Sequence, residues 1–297
     1  MATQSAFANI YTANKGLVIV LLLVWCSLLA YLPDTLTVIA DHIAFTLLGV
    51  LGAIFANATG AGGGVVFIPA FEQLDFTVTQ AVATSFGIQC MGMTTGALAW
   101  ARFYRRQRLT TQADSWQPFL PSIAVVAPCS VAGLWLVYGL DLSAPGPLNT
   151  MFAWFSLVLG SAILATSLWL KPGPVRNRLD VIDIVVLVVI GMVGGAITAW
   201  LSVGVGEIMA IYLILRRYNA IMAVASAVVV TAVTVLCGIV EHLMIHPDVY
   251  WQVVLFAGPG AIFGAILARR LASRLPVRQL KLLFAGWVLC MGLPVFF

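Results

Sequence analysis

Apolar and polar positions are not interleaved along this chain but segregated, with long stretches of almost unbroken hydrophobicity separated by short loops that hold nearly all the charge. The apolar runs lie at about Leu17 to Leu32, Ile43 to Phe71, Val78 to Ala101, Phe119 to Leu140, Leu148 to Leu170, Ile184 to Leu215, Ala220 to Val240, Val253 to Ala268 and Leu282 to Phe297. Each approaches or exceeds the roughly 17 to 25 residues that cross a bilayer as helix. The pattern predicts an all-α polytopic membrane protein with no soluble domain between the spans.

Two of the runs carry an interruption. Gly60-Ala61-Gly62-Gly63-Gly64 precedes Val65-Val66-Phe67-Ile68-Pro69 inside the first, where glycine must break the helix although lipid offers the backbone no partner. Irregular backbone at that depth survives only in protein or beside a watery cavity. An offset of 142 residues carries Gly49, Gly52, Gly62 and Gly64 onto Gly191, Gly194, Gly204 and Gly206, and lays Ala81 to Ser85 on Ala223 to Ala227, without a gap. Later the offset drops to 131, matching Ala127-Pro128 and Gly133 with Gly258-Pro259 and Gly264. The expected organisation is an N-terminal span and outer loop over 1–42 and two repeats over 43–180 and 181–297, each a broken hairpin followed by three spans. Paired Gly-interrupted segments in two halves point to a transporter's binding site.

Composition agrees: 62% of the 297 residues are hydrophobic and 9% charged, with mean hydropathy +1.04. The net charge of +4 matters less than its placement. Arg102, Arg105, Arg106 and Arg108, then Lys171, Arg176 and Arg178, then Arg216 and Arg217, then Arg269, Arg270, Arg274, Arg278 and Lys281 mark cytoplasmic ends. Loops at Glu72 to Asp75, Asp141 to Asn149 and His246 to Asp248 hold no Lys or Arg and belong outside. Lys15 puts the N-terminus in the cytoplasm, and the C-terminus falls outside. The first run has something of a signal peptide's look but no small-x-small cleavage site before Pro33, so a retained span is expected. The two repeats therefore have inverted topology in the plasma (inner) membrane. Cys26, Cys90, Cys129, Cys237 and Cys290 lie in apolar runs without metal-ligand spacing and read as small hydrophobes.

A helix that restarts after a break presents unpaired N–H groups and the positive end of its dipole, which suits an anion. The candidate substrate-binding positions are Asn57, Gly60, Gly62, Gly63, Gly64, Thr84, Ser85, Gln89, Ser202, Gly204, Gly206, Ser226 and Thr231, with Thr84 matching Ser226 and Gln89 matching Thr231 across the repeats. Interhelical hydrogen bonding is the alternative role for these hydroxyls. Glu207 directly follows the second break, where a carboxylate costs about 2.5–3.5 kcal/mol or more unless neutralised or hydrated. It is either a proton-coupling site or a structural N-terminal acid. His42, His242 and His246 fall at outer ends, too dispersed for a metal site; Glu241-His242 is a candidate pH-sensitive pair, with a wet interfacial location as the alternative.

The glycine-rich break leading to an apolar run and proline, then Gln80 to Ser85, then a basic loop, the whole repeated, resembles the sulfite exporter TauE/SafE family over roughly Ile43 to Phe297. The second copy departs from it: Val205 and Glu207 replace glycines and Ile211 replaces the proline matching Pro69. The resemblance implies export or uptake of small sulfur-containing anions such as sulfite, thiosulfate or organosulfonates, and the inverted repeats imply transport by alternating access. It points to that anion, the lipid bilayer and protons as partners, with a homodimer left open, and to no nucleic acid, cofactor or metal. A channel, a carrier for another organic anion and a non-transporting membrane partner protein are the rivals. An intramembrane enzyme is disfavoured, because HExxH and GxSxG are absent and no His shares a depth with a candidate nucleophile.

Overall fold

The computed structural model describes residues 25–30, 34–111, 113–169 and 175–274 and the isolated positions 279, 282, 285, 286 and 289. Lys15, Lys171, Arg278, Lys281, Cys290, most of the expected first span and nearly all of the expected last span lie outside the described residues. The chain divides into two units, Met1–Ala44 and Phe45–Phe297. In the first, 25–30 are helical and α1 covers Thr35–His42.

From Phe45 on, the second unit holds α2 (Ala44–Thr59) and then α3 (Gly64–Glu72), the two arms of the first interrupted run. Then come α4 (Val78–Gln107), a 3-10 turn (Ala113–Trp116), α5 (Phe119–Gly139) and α6 (Leu148–Trp169). The second interrupted run forms α7 (Val181–Leu201) and α8 (Val205–Leu215); α9 (Ala220–Val240), a π turn (Glu241–Ile245) and α10 (Trp251–Arg274) follow. No strand occurs among the described residues. Among the described residues, five helical segments are long and apolar enough to cross a membrane: Ala113–Gly139, Leu148–Ala165, Val181–Leu201, Ala220–Ile245 and Trp251–Ala272. Helix α4, at 30 residues, has the length for a crossing as well.

These helices divide their surfaces as lipid-embedded helices do. On α7, Val181, Val185, Val189 and Val193 form an exposed apolar stripe at helical spacing, while Leu187, Gly191, Gly194, Gly195 and Thr198 face inward. Large side chains meet lipid and small ones let backbones approach, which inverts the soluble pattern. A Cβ on Gly191 would lie 2.5 Å from the Cys129 Cβ of α5, and one on Gly133 would run into the Met192 carbonyl of α7. Helices α2 and α10 meet in the same way, Gly264 against the Val50 carbonyl and Gly49 against that of Ala257.

Backbone detail recurs at the offset of 142 residues. Gly60 N–H donates to Ala56 O (3.0 Å) and Ser202 N–H to Thr198 O (2.8 Å), and both residues end their helix at positive φ, 85° and 58°. Asp75 and Arg217 both turn at positive φ, 57° and 65°, and Phe76 N–H to Phe71 O matches Tyr218 N–H to Leu213 O. Thr77 and Asn219, also 142 apart, cap α4 and α9 by accepting from the backbone N–H groups of Gln80 and of Ile221 and Met222. The core forms two clusters, with Phe67 and Phe71 of α3 in one and Met209 and Leu213 of α8, their matching positions, in the other.

Candidate functional site at the meeting of the two breaks

The two interruptions interlock. A Cβ on Gly64 would lie 2.6 Å from Ser202 O, and one on Gly206 would lie 2.5 Å from Gly60 O. Under the offset, Gly60 corresponds to Ser202 and Gly64 to Gly206, so the two contacts are the same contact made reciprocally. Glycine is required there because no side chain fits between the two backbones. Gly204 adds a φ of 151°, which lets the chain leave α7 and restart as α8 alongside it.

Glu207 sits at the third position of α8, the place from which an acidic side chain reaches back to the helix's own start. Its Oε2 accepts the Gly204 N–H (2.8 Å), and its Oε1 accepts the Gly62 N–H from the other break (2.6 Å). Gly62 and Gly204 are themselves 142 apart, so one carboxylate takes the matching N–H group from each hairpin. Gln89 of α4 binds the next residue of the first break: its Oε1 accepts from Gly63 N–H (2.8 Å), while Nε2 donates to Ser85 Oγ (3.0 Å), Ser202 Oγ (2.8 Å) and Ser202 O (3.0 Å). Ser202 Oγ closes the ring by donating to Ser85 Oγ (2.9 Å). Thr198, absent from the sequence candidates, accepts from Val205 N–H (3.2 Å) and donates to Gly194 O. All of these side chains are buried.

Of the sequence candidates, then, Gly60, Gly62, Gly63, Gly64, Ser85, Gln89, Ser202, Gly204, Gly206 and Glu207 come together. Thr231 Oγ1 joins them from α9, facing Gly206, buried and without a hydrogen-bond partner. Asn57 lies to one side; its Nδ2 donates to Ala53 O (2.9 Å), its carbonyl accepts from Trp100 Nε1, and its Oδ1 is unpaired. With Gly63, Gln89 and Phe67 it borders a cavity of about 10 Å³, room for about one water. The structure does not bring Thr84 or Ser226 to the junction. Thr84 Oγ1 accepts the Tyr250 N–H, and Ser226 Oγ bonds back to Met222 O, the helix back-bonding open to any Ser in a span.

A larger cavity, about 410 Å³, opens among the ends of α4, α5, α7 and the π turn, lined by Tyr138, Asp141, Trp200, His242 and His246 among others. The acid at 241 pairs with His246 (Nδ1 to Oε1, 2.7 Å) rather than with adjacent His242. Neighbours in sequence point apart on a helix, whereas the π turn, closed by His246 N–H to Glu241 O, brings residues five apart together. Donating a hydrogen bond to the Glu241 carboxylate raises the affinity of exposed His246 for its proton. His242, expected at a wet interface, is instead buried against the Phe86 ring with Nε2 3.2 Å from Tyr138 Oη.

At the opposite end of the second hairpin, fully buried Asp183 gathers Tyr212 Oη (2.7 Å), Arg216 Nε (2.7 Å), Tyr218 Oη (2.6 Å) and Arg176 Nη1 (3.2 Å). Asp180 pairs with Arg176 and Arg216 at the rim. Burial and the Asp183 hydrogen bond hold the Tyr218 phenol well above its ordinary range. This clasp ties the start of α7 to the end of α8. Its sequence signal is an acid three residues into a span with Arg and Tyr one hairpin later, and the candidate residues drawn from the sequence do not include it.

Helices suited to lipid and two glycine breaks meeting in their midst define a multi-pass membrane protein. The chain belongs to the sulfite exporter TauE/SafE family, a family of membrane transporters, which it matches over residues 45–295. No curated protein and no solved structure matches it.

Proposed function

We propose that the protein is a secondary carrier that exports small sulfur-containing anions such as sulfite or organosulfonates, with its substrate site where the two breaks meet. The observation that carries this reading is the convergence of N–H groups from both hairpins, Gly62 and Gly204, on the two oxygens of one carboxyl group, in a region with no cationic side chain among the described residues. Backbone donors, with Gln89, Ser85 and Ser202, would bind an anion there as a helix start does. The reciprocal contacts and the alternating arginine loops support two inverted repeats about an in-plane axis, the architecture of many alternating-access carriers.

Among the described residues the junction is closed, because Ser85, Gln89, Ser202 and Glu207 are buried and the cavity beside them holds about one water, less than a solute of sulfite's size needs. A closed junction favours a carrier over a standing pore. The 410 Å³ vestibule reaches Trp200 and Ala199, within three residues of Ser202, and would be the outer antechamber. Counterflow in proteoliposomes tests the reading. Internal unlabelled sulfite should accelerate entry of labelled sulfite, and Gln89→Ala should abolish that acceleration. Uptake without any trans-acceleration would identify a channel and remove the carrier mechanism.

A further inference from the structure

We infer that the Glu207 carboxylate is a tethered stand-in for the substrate: it occupies the anion position itself, and a substrate anion enters only when Glu207 takes up a proton and gives up its two N–H donors. This rests on the carrier reading and deepens it, because it assigns the shape that the site reads and the means by which the proton is coupled.

The geometry is that of a filled anion site. Two oxygens on one carbon accept from two N–H groups that occupy matching places in the two hairpins, at 2.6 and 2.8 Å, the short distances of charge-assisted bonds. The first hairpin has Val65 at the position matching Glu207, so the chain supplies one such carboxylate for two starts rather than one for each. A purely structural cap would serve its own helix; this one also binds an N–H of the other break. An independent observation marks the place as built for more hydrogen bonding than it now has: the buried Thr231 hydroxyl faces Gly206 with no partner. The titratable groups on the packed elements stand elsewhere. Asp183 begins α7, Arg102, Arg105 and Arg106 end α4, and Glu241 follows α9, so the polar groups in contact with the Glu207 carboxylate are backbone N–H groups.

A carboxylate and a substrate anion together would place two negative charges in a buried site with no cation, at a cost of several kcal/mol. Protonated Glu207 with a bound monoanion carries one, as the present state does. Proton and anion are thus taken up as a pair. Because Glu207 is itself a carboxylate, the donors read two oxygens on one central atom and not sulfur as such; sulfonates, sulfite and small carboxylates all present that pair.

The test uses the purified full-length protein and methanesulfonate, which stays ionised across the range, so that any pH dependence belongs to the protein. Wild-type affinity should fall about tenfold per pH unit above the Glu207 titration, as one linked proton requires. Glu207→Gln should bind with a pH-independent affinity equal to or tighter than the wild type at low pH, and acetate should compete with methanesulfonate in that variant. Calorimetry of the wild type in buffers of different ionisation enthalpy gives a second measure, an uptake of one proton per anion, that stands even where the variant fails to fold. Wild-type binding without pH dependence, unchanged pH dependence in Glu207→Gln, absence of proton uptake, or indifference to acetate would each overturn the inference. Failure of the wild type to bind sulfite, methanesulfonate or acetate at any pH would instead overturn the carrier reading on which it rests.

Discussion

Gln89 carries more of the junction than any residue except Glu207, since it holds Gly63, Ser85 and Ser202 at once. Gln89→Leu keeps the volume but takes the partner from the buried Gly63 N–H and from the Ser202 carbonyl, leaving Ser85 and Ser202 only their mutual bond, and each stranded group costs about 1–3 kcal/mol. A lowered thermal midpoint and lost counterflow are the expected result; retention of both would show the ring to be dispensable. His246 makes an opposite kind of prediction. Its partner Glu241 raises its proton affinity in the folded state, so the pair stabilises the protein below the unfolded histidine value, and that contribution fades as pH rises through the raised one. Thermal unfolding of wild type and His246→Gln should therefore diverge in acid and converge in mild alkali. The sequence candidates that gather at the junction are those that chemistry makes conspicuous in an apolar run: Glu207, the glycines, and the polar Ser85, Gln89, Ser202 and Thr231. Asp183 and Thr198 escaped because their roles depend on which helices lie opposite them.

At the scale of elements, both interrupted runs were legible because glycine clusters leave no other reading. What periodicity could not supply was how each hairpin folds back on itself: α7 ends at Leu201 where α2 ends at its match Thr59, the first arm pair packs Phe67 against Gly52, and in the second the chain doubles back so that Val205 lies against Gly194. The Asp183 clasp holds that fold-back at its base. Asp183→Ala leaves two tyrosines and two arginines without their common acceptor. The loss should approach the lower end of the roughly 3–5 kcal/mol of a broken buried pair, as Arg216 is partly solvated. Thermal stability of the variant reads this directly. The close helix contacts offer a paired expectation. Gly133 on α5 and Gly264 on α10 meet Met192 and Val50, positions equivalent under the two offsets, so Gly133→Leu and Gly264→Leu should be similarly damaging to thermal stability, while the same change at Gly139, which faces open space, should be mild.

At the scale of the whole molecule, inverted repeats require that matching loops open on opposite faces of the membrane, and one matched pair is suited to showing it. Asp75 and Arg217 are 142 apart, each ends its half-helix turn at positive φ, and both are exposed. A cysteine at either place meets the same backbone demand that the native non-glycine residue already meets, so the two substitutions are structurally equivalent and differ only in side. With Cys26, Cys90, Cys129, Cys237 and Cys290 replaced, an impermeant maleimide should label Asp75→Cys in intact cells and Arg217→Cys only in inverted vesicles. Arginine placement alone dictates this outcome, through the energetic bias that keeps basic loops in the cytoplasm. Labelling of both from one face would make the repeats parallel. The axis relating Gly62 to Gly204 would then run along the membrane normal, and a site that alternates between the two sides by exchanging the roles of the hairpins would lose its geometric basis.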